Sequence, residues 1–150
     1  PNAPLMVGRG VTALTRNELV SDTDFEFVTG MFAALGDTLV IDESQMNAVI
    51  SVTSSAPAYV YSLIRGIYDG AIEQGFDPAA MLGIICSMVE GSAYLLRKSG
   101  KTPDEMIKLV ASKGGTTEAA LSVLRERGFE DALRSAMAAC TRRADELSGM

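Results

Sequence analysis

Histidine is missing from all 150 residues, which removes the commonest metal ligand and the commonest general base near neutral pH. Cysteine occurs only at Cys86 and Cys140, each among apolar residues at helical spacing. Two separated thiols make a poor zinc site or Cys-His nucleophile, and they read as buried thiols in a reducing cytoplasm rather than as a disulfide framework. Basic charge is scarce as well: 13 Lys and Arg against 19 Asp and Glu leave a net charge of -6. Arg125, Arg127, Arg142 and Arg143 are interleaved with Glu126, Glu130, Asp131 and Asp145, so no nucleic-acid partner is expected. The charge-free apolar run from Pro78 to Val89 is short of the roughly 18 to 20 residues that cross a bilayer, and no membrane span is expected. No metal is expected either. Any chemistry falls to hydroxyls, carboxylates, backbone groups or a bound cofactor.

Two further absences concern the beginning of the chain. It opens on Pro1-Asn2 rather than on methionine, which places the expected natural start upstream. No GxGxxG follows a strand; Gly8-Arg9-Gly10 is a lone fragment in the wrong context, so a dinucleotide-binding turn is also expected upstream.

Present instead is a division at about residue 42. Val11 to Thr15 and Thr38 to Ile41 are short β-branched runs flanking an apolar pattern at Phe25, Val28, Phe32 and Leu35. Strand, helix and strand are too little for an independent domain, so residues 1–42 are expected to be the end of a larger α/β unit. Residues 43–150 read as helices throughout. Glu43 to Thr53 predicts a short helix, and Pro57 to Gln74 a longer one with Val60, Leu63, Ile64, Ile67 and Ala71 on one stripe. Asp77-Pro78 opens a helix to about Lys98, and Thr102-Pro103-Asp104-Glu105 has the spacing of a capping box. Thr117 to Arg127 and a final helix from Phe129 follow, the last with Ala132, Leu133, Ala136, Cys140, Ala144 and Leu147 on one face. The fold class is mainly α: a helical domain after a strand-helix-strand remnant of a Rossmann-type unit.

Met81, Leu82, Ile84, Ile85, Met88 and Val89 cover more than one side of their helix. A helix apolar nearly all round needs helical neighbours on every side, more than one small domain supplies, so a second copy of the chain is the expected partner.

Chemistry points to Ser112-Lys113-Gly114-Gly115-Thr116-Thr117. Glycines admit positive φ and close approach of a ligand to the main chain, and the helix that follows presents unpaired amides with partial positive charge. Such a joint suits an anion such as a carboxylate. The plainer reading is a flexible connector in which Thr116 caps the helix. A second run of small hydroxyl residues, Thr53-Ser54-Ser55-Ala56-Pro57-Ala58-Tyr59, precedes a helix, and its plainer reading is capping by Ser54 or Ser55.

Taken in order with Pro1-Asn2-Ala3-Pro4, these segments resemble pyrroline-5-carboxylate reductase. The family's PNTP is similar to Pro1 to Pro4, its SGSGPAY to Thr53 to Tyr59, and its SPGGTT to Ser112 to Thr117, along nearly the whole chain. The resemblance implies a two-domain oxidoreductase of proline biosynthesis that reduces 1-pyrroline-5-carboxylate with NADPH or NADH. Its C-terminal helical domain interlocks into a homodimer, often within larger rings, and the active site lies where the two domains meet. By the same resemblance Ser112, Gly114, Gly115 and Thr116 hold the substrate carboxylate, Thr117 hydrogen-bonds the ring nitrogen, Ser55 contacts substrate, and Asn2, Ala3 and Pro4 face the cofactor. With the phosphate-binding turn upstream, these 150 residues are not expected to bind the cofactor productively. Ser54 and Ala56 stand where the family has glycine, and Lys113 where it has proline. Those departures keep two alternatives open: a non-catalytic dimerisation module, or a reductase of another cyclic imine.

Overall fold

A computed structural model describes residues 1–149. The polypeptide begins with a 3-10 turn, Ala3–Val7, followed by strand β1, Gly10–Leu14, helix α1, Asp22–Ala33, and strand β2, Gly36–Val40. β1 and β2 pair in parallel with Gly10 opposite Gly36 and Leu14 opposite Val40. Strand, helix and strand therefore form as the β-branched runs predict, each strand starting one or two residues earlier. The earlier start uses glycine. A Cβ on Gly36 would collide with the backbone of Gly10, and a Cβ on Gly10 would lie 2.6 Å from Leu5 Cβ. The two strands and the preceding turn thus close on each other through bare main chain. Ser21 caps α1 by accepting the Asp24 amide at 3.1 Å.

The segment expected as one helix from Glu43 to Thr53 is not a regular helix. It runs as a 3-10 turn, Glu43–Gln45, a single α turn, α2, Met46–Val49, and a π-helical stretch, Ile50–Ser54. Long-range bonds at both ends account for the irregularity. The Asn2 amide donates to the Thr53 carbonyl at 3.1 Å, and the Asn47 amide donates to Asp145 Oδ1 and Ser148 Oγ at 2.9 and 2.8 Å. Ser51 and Thr53 hydroxyls also donate back to the carbonyls of Ala48 and Val49, a habit that bends helices.

The remaining helices follow the sequence punctuation closely: α3, Ala56–Glu73; α4, Pro78–Ser99; α5, Pro103–Val110; α6, Thr116–Glu126; and α7, Phe129–Ser148. Asp77 caps α4, with Pro78 at its first turn. At α5 the expected capping box is complete, since Thr102 accepts the Glu105 amide at 3.3 Å while Glu105 accepts the Thr102 amide at 2.8 Å. The Thr102 amide and hydroxyl, donating to the Glu105 carboxylate at 2.8 and 3.0 Å, hold that carboxyl below its usual value, the backbone bond contributing most.

The chain divides into two compact units, one of residues 1–60 with 133–150 and one of residues 61–132. Each buries little. Thr12, Ser51 and Ala144 are buried in the first and Ile85 in the second, while large apolar side chains stand exposed in both. On α4 only Ile85 is buried; Leu82, Ile84 and Met88 are 54%, 62% and 46% exposed. The stripe of α3 is likewise open at Val60, Leu63 and Ile67. By length and hydropathy α4 suffices to cross a bilayer, with 22 residues and a mean hydropathy of 1.6 over its best window. The charge-free run alone understated this, because only Glu90 interrupts the apolar sequence before Arg97. The expectation of two buried thiols is also corrected: Cys86 is exposed on α4 and Cys140 is half-buried, both free. Cys86 lies on the side of Leu82, one turn away, which nothing among the described residues covers.

Candidate functional site

In the second unit, α5 ends at Val110 and the chain turns through Ser112 and Lys113 before α6 begins at Thr116. Gly114 has φ +73, and the Gly115 amide donates to the Ser112 carbonyl at 3.0 Å. Gly115, not Thr116, is the N-cap, and it carries no side-chain cap. Thr116 is already helical, so the plainer reading of it as a capping threonine does not describe this joint. A Cβ on Gly115 would stand 2.6 Å from Ser112 Oγ. Gly115 therefore lets the Ser112 hydroxyl fold over the start of the helix. Ser112, Gly114 and Thr116 are exposed, and Gly115 and Thr117 are half-buried. The first-turn amides of α6 have no intrahelical partners and carry the positive end of the helix dipole.

One group already uses this end. The Gly114 amide donates to Glu118 Oε2 at 2.5 Å. Glu118 stands in the first turn of α6, and its carboxylate bends back over the glycines. Sequence reasoning passed over it. The signal was there, since a Glu three residues after an N-cap commonly reaches back to a free amide.

The first unit gathers the other expected residues. Asn2, Ala3 and Pro4 lie in the opening turn, and the Asn2 side chain is engaged at both ends: its oxygen accepts the Val11 amide at 2.9 Å while its nitrogen donates to the Thr53 carbonyl at 3.1 Å. Ser55 is half-buried at the start of α3 and accepts from the Cys140 thiol at 3.2 Å, across 85 residues of sequence. Tyr59, one turn further along α3, has its hydroxyl oxygen buried without a hydrogen-bond partner among the described residues. Burial raises the phenol above its ordinary value, and the neighbouring Cys140 acts in the same direction. No local pattern announces the Cys140 contact, because only the fold brings α7 to α3. Ser54 is exposed and Ala56 half-buried.

No group of three or more Cys, Asp or Glu side chains suited to a metal ion occurs among the described residues. A shallow depression at the C-terminal ends of β1 and β2 is lined by Arg16, Asp22, Phe25 and Asp42 among others. Arg16 there pairs with Asp22 at 2.5 Å and lies over the Phe25 ring, so its charge is already answered. None of the expected site residues lines it.

A parallel strand-helix-strand end, helices with uncovered apolar faces and a glycine joint at a helix N-terminus together define a self-associating helical domain appended to an α/β unit. Comparison with known proteins gives that class its family. Residues 43–147 match the model for pyrroline-5-carboxylate reductase dimerisation, and the chain belongs to that family. Pyrroline-5-carboxylate reductase of Escherichia coli K12 is 36% identical over 148 residues, covering 99% of this chain and 55% of the relative. The chain thus spans about half the length of the curated relatives it matches. Among solved structures, the 1-pyrroline-5-carboxylate reductase of Streptococcus pyogenes superposes with a TM-score of 0.93 at 30% identity, covering 97% of this chain and 56% of that one. The Plasmodium falciparum pyrroline carboxylate reductase, solved with NADP bound, gives a TM-score of 0.91 at 26% identity, covering 96% and 59%.

Proposed function

We propose that this chain is the substrate-binding and dimerising part of an NADPH-dependent reductase that converts 1-pyrroline-5-carboxylate to proline in the cytoplasm. The observation that carries the reading is the joint before α6, where a backbone amide already holds a carboxylate, that of Glu118. A small cyclic imine acid brings the same group, and the amides of Gly114 and of the first turn of α6, with the Ser112 and Thr116 hydroxyls, suit it. Thr117, half-buried in that first turn, is assigned the ring nitrogen. The basic imine enters with its nitrogen protonated, so hydride addition to carbon neutralises the iminium, and a hydroxyl that accepts the N–H orients the ring for that step. No strong protein acid or histidine is required. Ser55 is proposed as a further substrate contact on the strength of the family resemblance.

NADPH, or NADH, supplies the hydride when bound. Its grip is assigned mainly to residues these 150 do not include, in keeping with the 55% share of the relatives that they span. Here the opening turn offers Ala3 and Pro4, while Asn2 spends its side chain on Thr53 and Val11 and contributes by shaping that turn. The domain boundary is proposed at residues 42 and 43, where the family match begins. A homodimer is proposed because Leu82, Ile84 and Met88 leave apolar surface exposed on more than one side of α4. A second copy covers it, and no bilayer is invoked.

The test is NADPH oxidation with pyrroline-5-carboxylate, using the chain extended upstream to its natural start and the 150-residue chain as control. Turnover by the extended form alone is the expected result. A folded, dimeric and inactive extended form would instead favour a non-catalytic module, or another imine admitted by Ser54, Ala56 and Lys113.

A further inference from the structure

We propose that Glu118 is an internal competitor for the substrate carboxylate, so that ligand binding at the joint requires this side chain to leave the Gly114 amide. The inference rests on the assignment of the joint to the substrate carboxylate. Two of the loop's amides are engaged in the structure: Gly115 donates to the Ser112 carbonyl at 3.0 Å and Gly114 to Glu118 Oε2 at 2.5 Å. The first is part of the turn itself and stays. The second is a charge-assisted bond to an exposed side chain, and it can be exchanged.

One amide hydrogen cannot serve two carboxylates in a single geometry, and two like charges on the same helix end repel. Glu118 and an incoming carboxylate therefore bind in alternation. Apparent affinity is then the intrinsic affinity multiplied by the fraction of time the amide is unoccupied, as for any ligand that needs a minor state. The device also shapes specificity. A ligand lacking an ionised carboxylate has nothing with which to displace Glu118, whereas an amino acid or imino acid replaces one charge-assisted bond by another. A purely structural cap makes the opposite forecast, since removing it loosens the joint and weakens any ligand held there.

The sign of the change is the experiment. Full-length wild type, Glu118→Ala and Glu118→Asp are titrated with L-proline by calorimetry, with the Gly114 and Thr116 amides followed by NMR, and KM is measured for the imine. Glu118→Ala is expected to bind proline about three- to tenfold more tightly and to lower KM in proportion, while melting at a slightly lower temperature. Glu118→Asp keeps the charge but is one methylene too short to reach Gly114, and it is expected to resemble the alanine variant. Unchanged or weaker binding in Glu118→Ala, with proline still shifting the loop amides, reduces Glu118 to a cap and overturns the proposal alone. Wild-type affinity in Glu118→Asp, with its Gly114 amide released, makes the effect one of charge at a distance and overturns the competition likewise. Loop amides that stay still at saturating proline in every form remove the carboxylate assignment itself, and the competition with it.

Discussion

Asn2 holds Thr53 from 51 residues away: its side-chain nitrogen donates to the Thr53 carbonyl at 3.1 Å while its oxygen accepts the Val11 amide at 2.9 Å. One side chain thereby joins the opening turn, the first strand and the π-helical stretch ahead of Ser55. Asn2→Ala removes both bonds and leaves a half-buried amide and carbonyl unanswered, an expected loss of about 2 kcal/mol in urea unfolding. Asn2→Asp keeps the acceptor for Val11 but turns an oxygen toward the Thr53 carbonyl, and is expected to lose at least as much. Two variants as stable as wild type would show that the bridge is incidental.

Thr117→Ala in the full-length enzyme is expected to lower kcat by about 10²-fold, in line with loss of a positioned proton-handling or hydrogen-bonding group. Light scattering should show the oligomer unchanged, since Thr117 stands at the loop mouth outside the apolar stripes. A rate within twofold of wild type would remove Thr117 from the reaction.

Ile84→Asp places a charge among the exposed apolar side chains of α4, where Ile84 is 62% exposed within the single chain. The variant should shift a dimer to monomer at micromolar concentration while leaving the helix content of the chain largely intact. Retention of the dimer would move the interface to another face, and association of the wild type with lipid vesicles would reopen the bilayer reading of the helix.

Gly36→Ala sets a methyl group against the Gly10 backbone at the first pair of the β1-β2 register, at a residue whose φ is +150. The strands must part or the turn must shift, with an expected cost of about 3 kcal/mol or more by denaturant unfolding. Gly30→Ala, on α1 with open space around it, serves as the control and should leave stability nearly unaltered.

Glu105 should titrate below the usual carboxylate range, because the Thr102 backbone and hydroxyl donate to its ionised form. The sign follows from linkage: a depressed folded-state value means a contribution to stability present above the unfolded value of about 4.5 and lost as pH falls through the folded one. Carboxyl NMR on Thr102→Ala, which removes the hydroxyl and keeps the backbone amide, should move Glu105 part of the way back toward 4.5. An unmoved titration in that variant would deny the box its role.

Much of this fold is local and was legible for that reason. Pro78 after Asp77, the Thr102 to Glu105 box, and Gly75 and Gly100 beyond two helix ends all act within a few residues of themselves. The Glu43 to Thr53 segment resisted reading because its shape is imposed from Asn2 at one end and from Asp145 and Ser148 at the other. No window around it contains those partners. The cysteines misled for a related reason: apolar neighbours in sequence imply cover, but around Cys86 on α4 no covering surface occurs among the described residues. At the candidate site the glycine joint stood out, whereas Glu118 was hidden in plain helix-capping grammar and the Cys140 contact with Ser55 existed only across the fold.

The π-helical stretch has a consequence for what length changes the chain can tolerate. Each residue in an α-helix turns the backbone by about 100°, and a π turn closes one residue later than an α turn. Between Asn47, anchored to α7, and Ser55, seated against Cys140, the residue count is therefore an angular setting. Removing Val52 alone, an exposed residue, would let the stretch close as an α turn, which needs one residue fewer, and leave Ser55 facing the thiol, whereas a deletion inside α3 has no π turn to absorb it. Val52 is therefore permissive both to substitution and to its own removal.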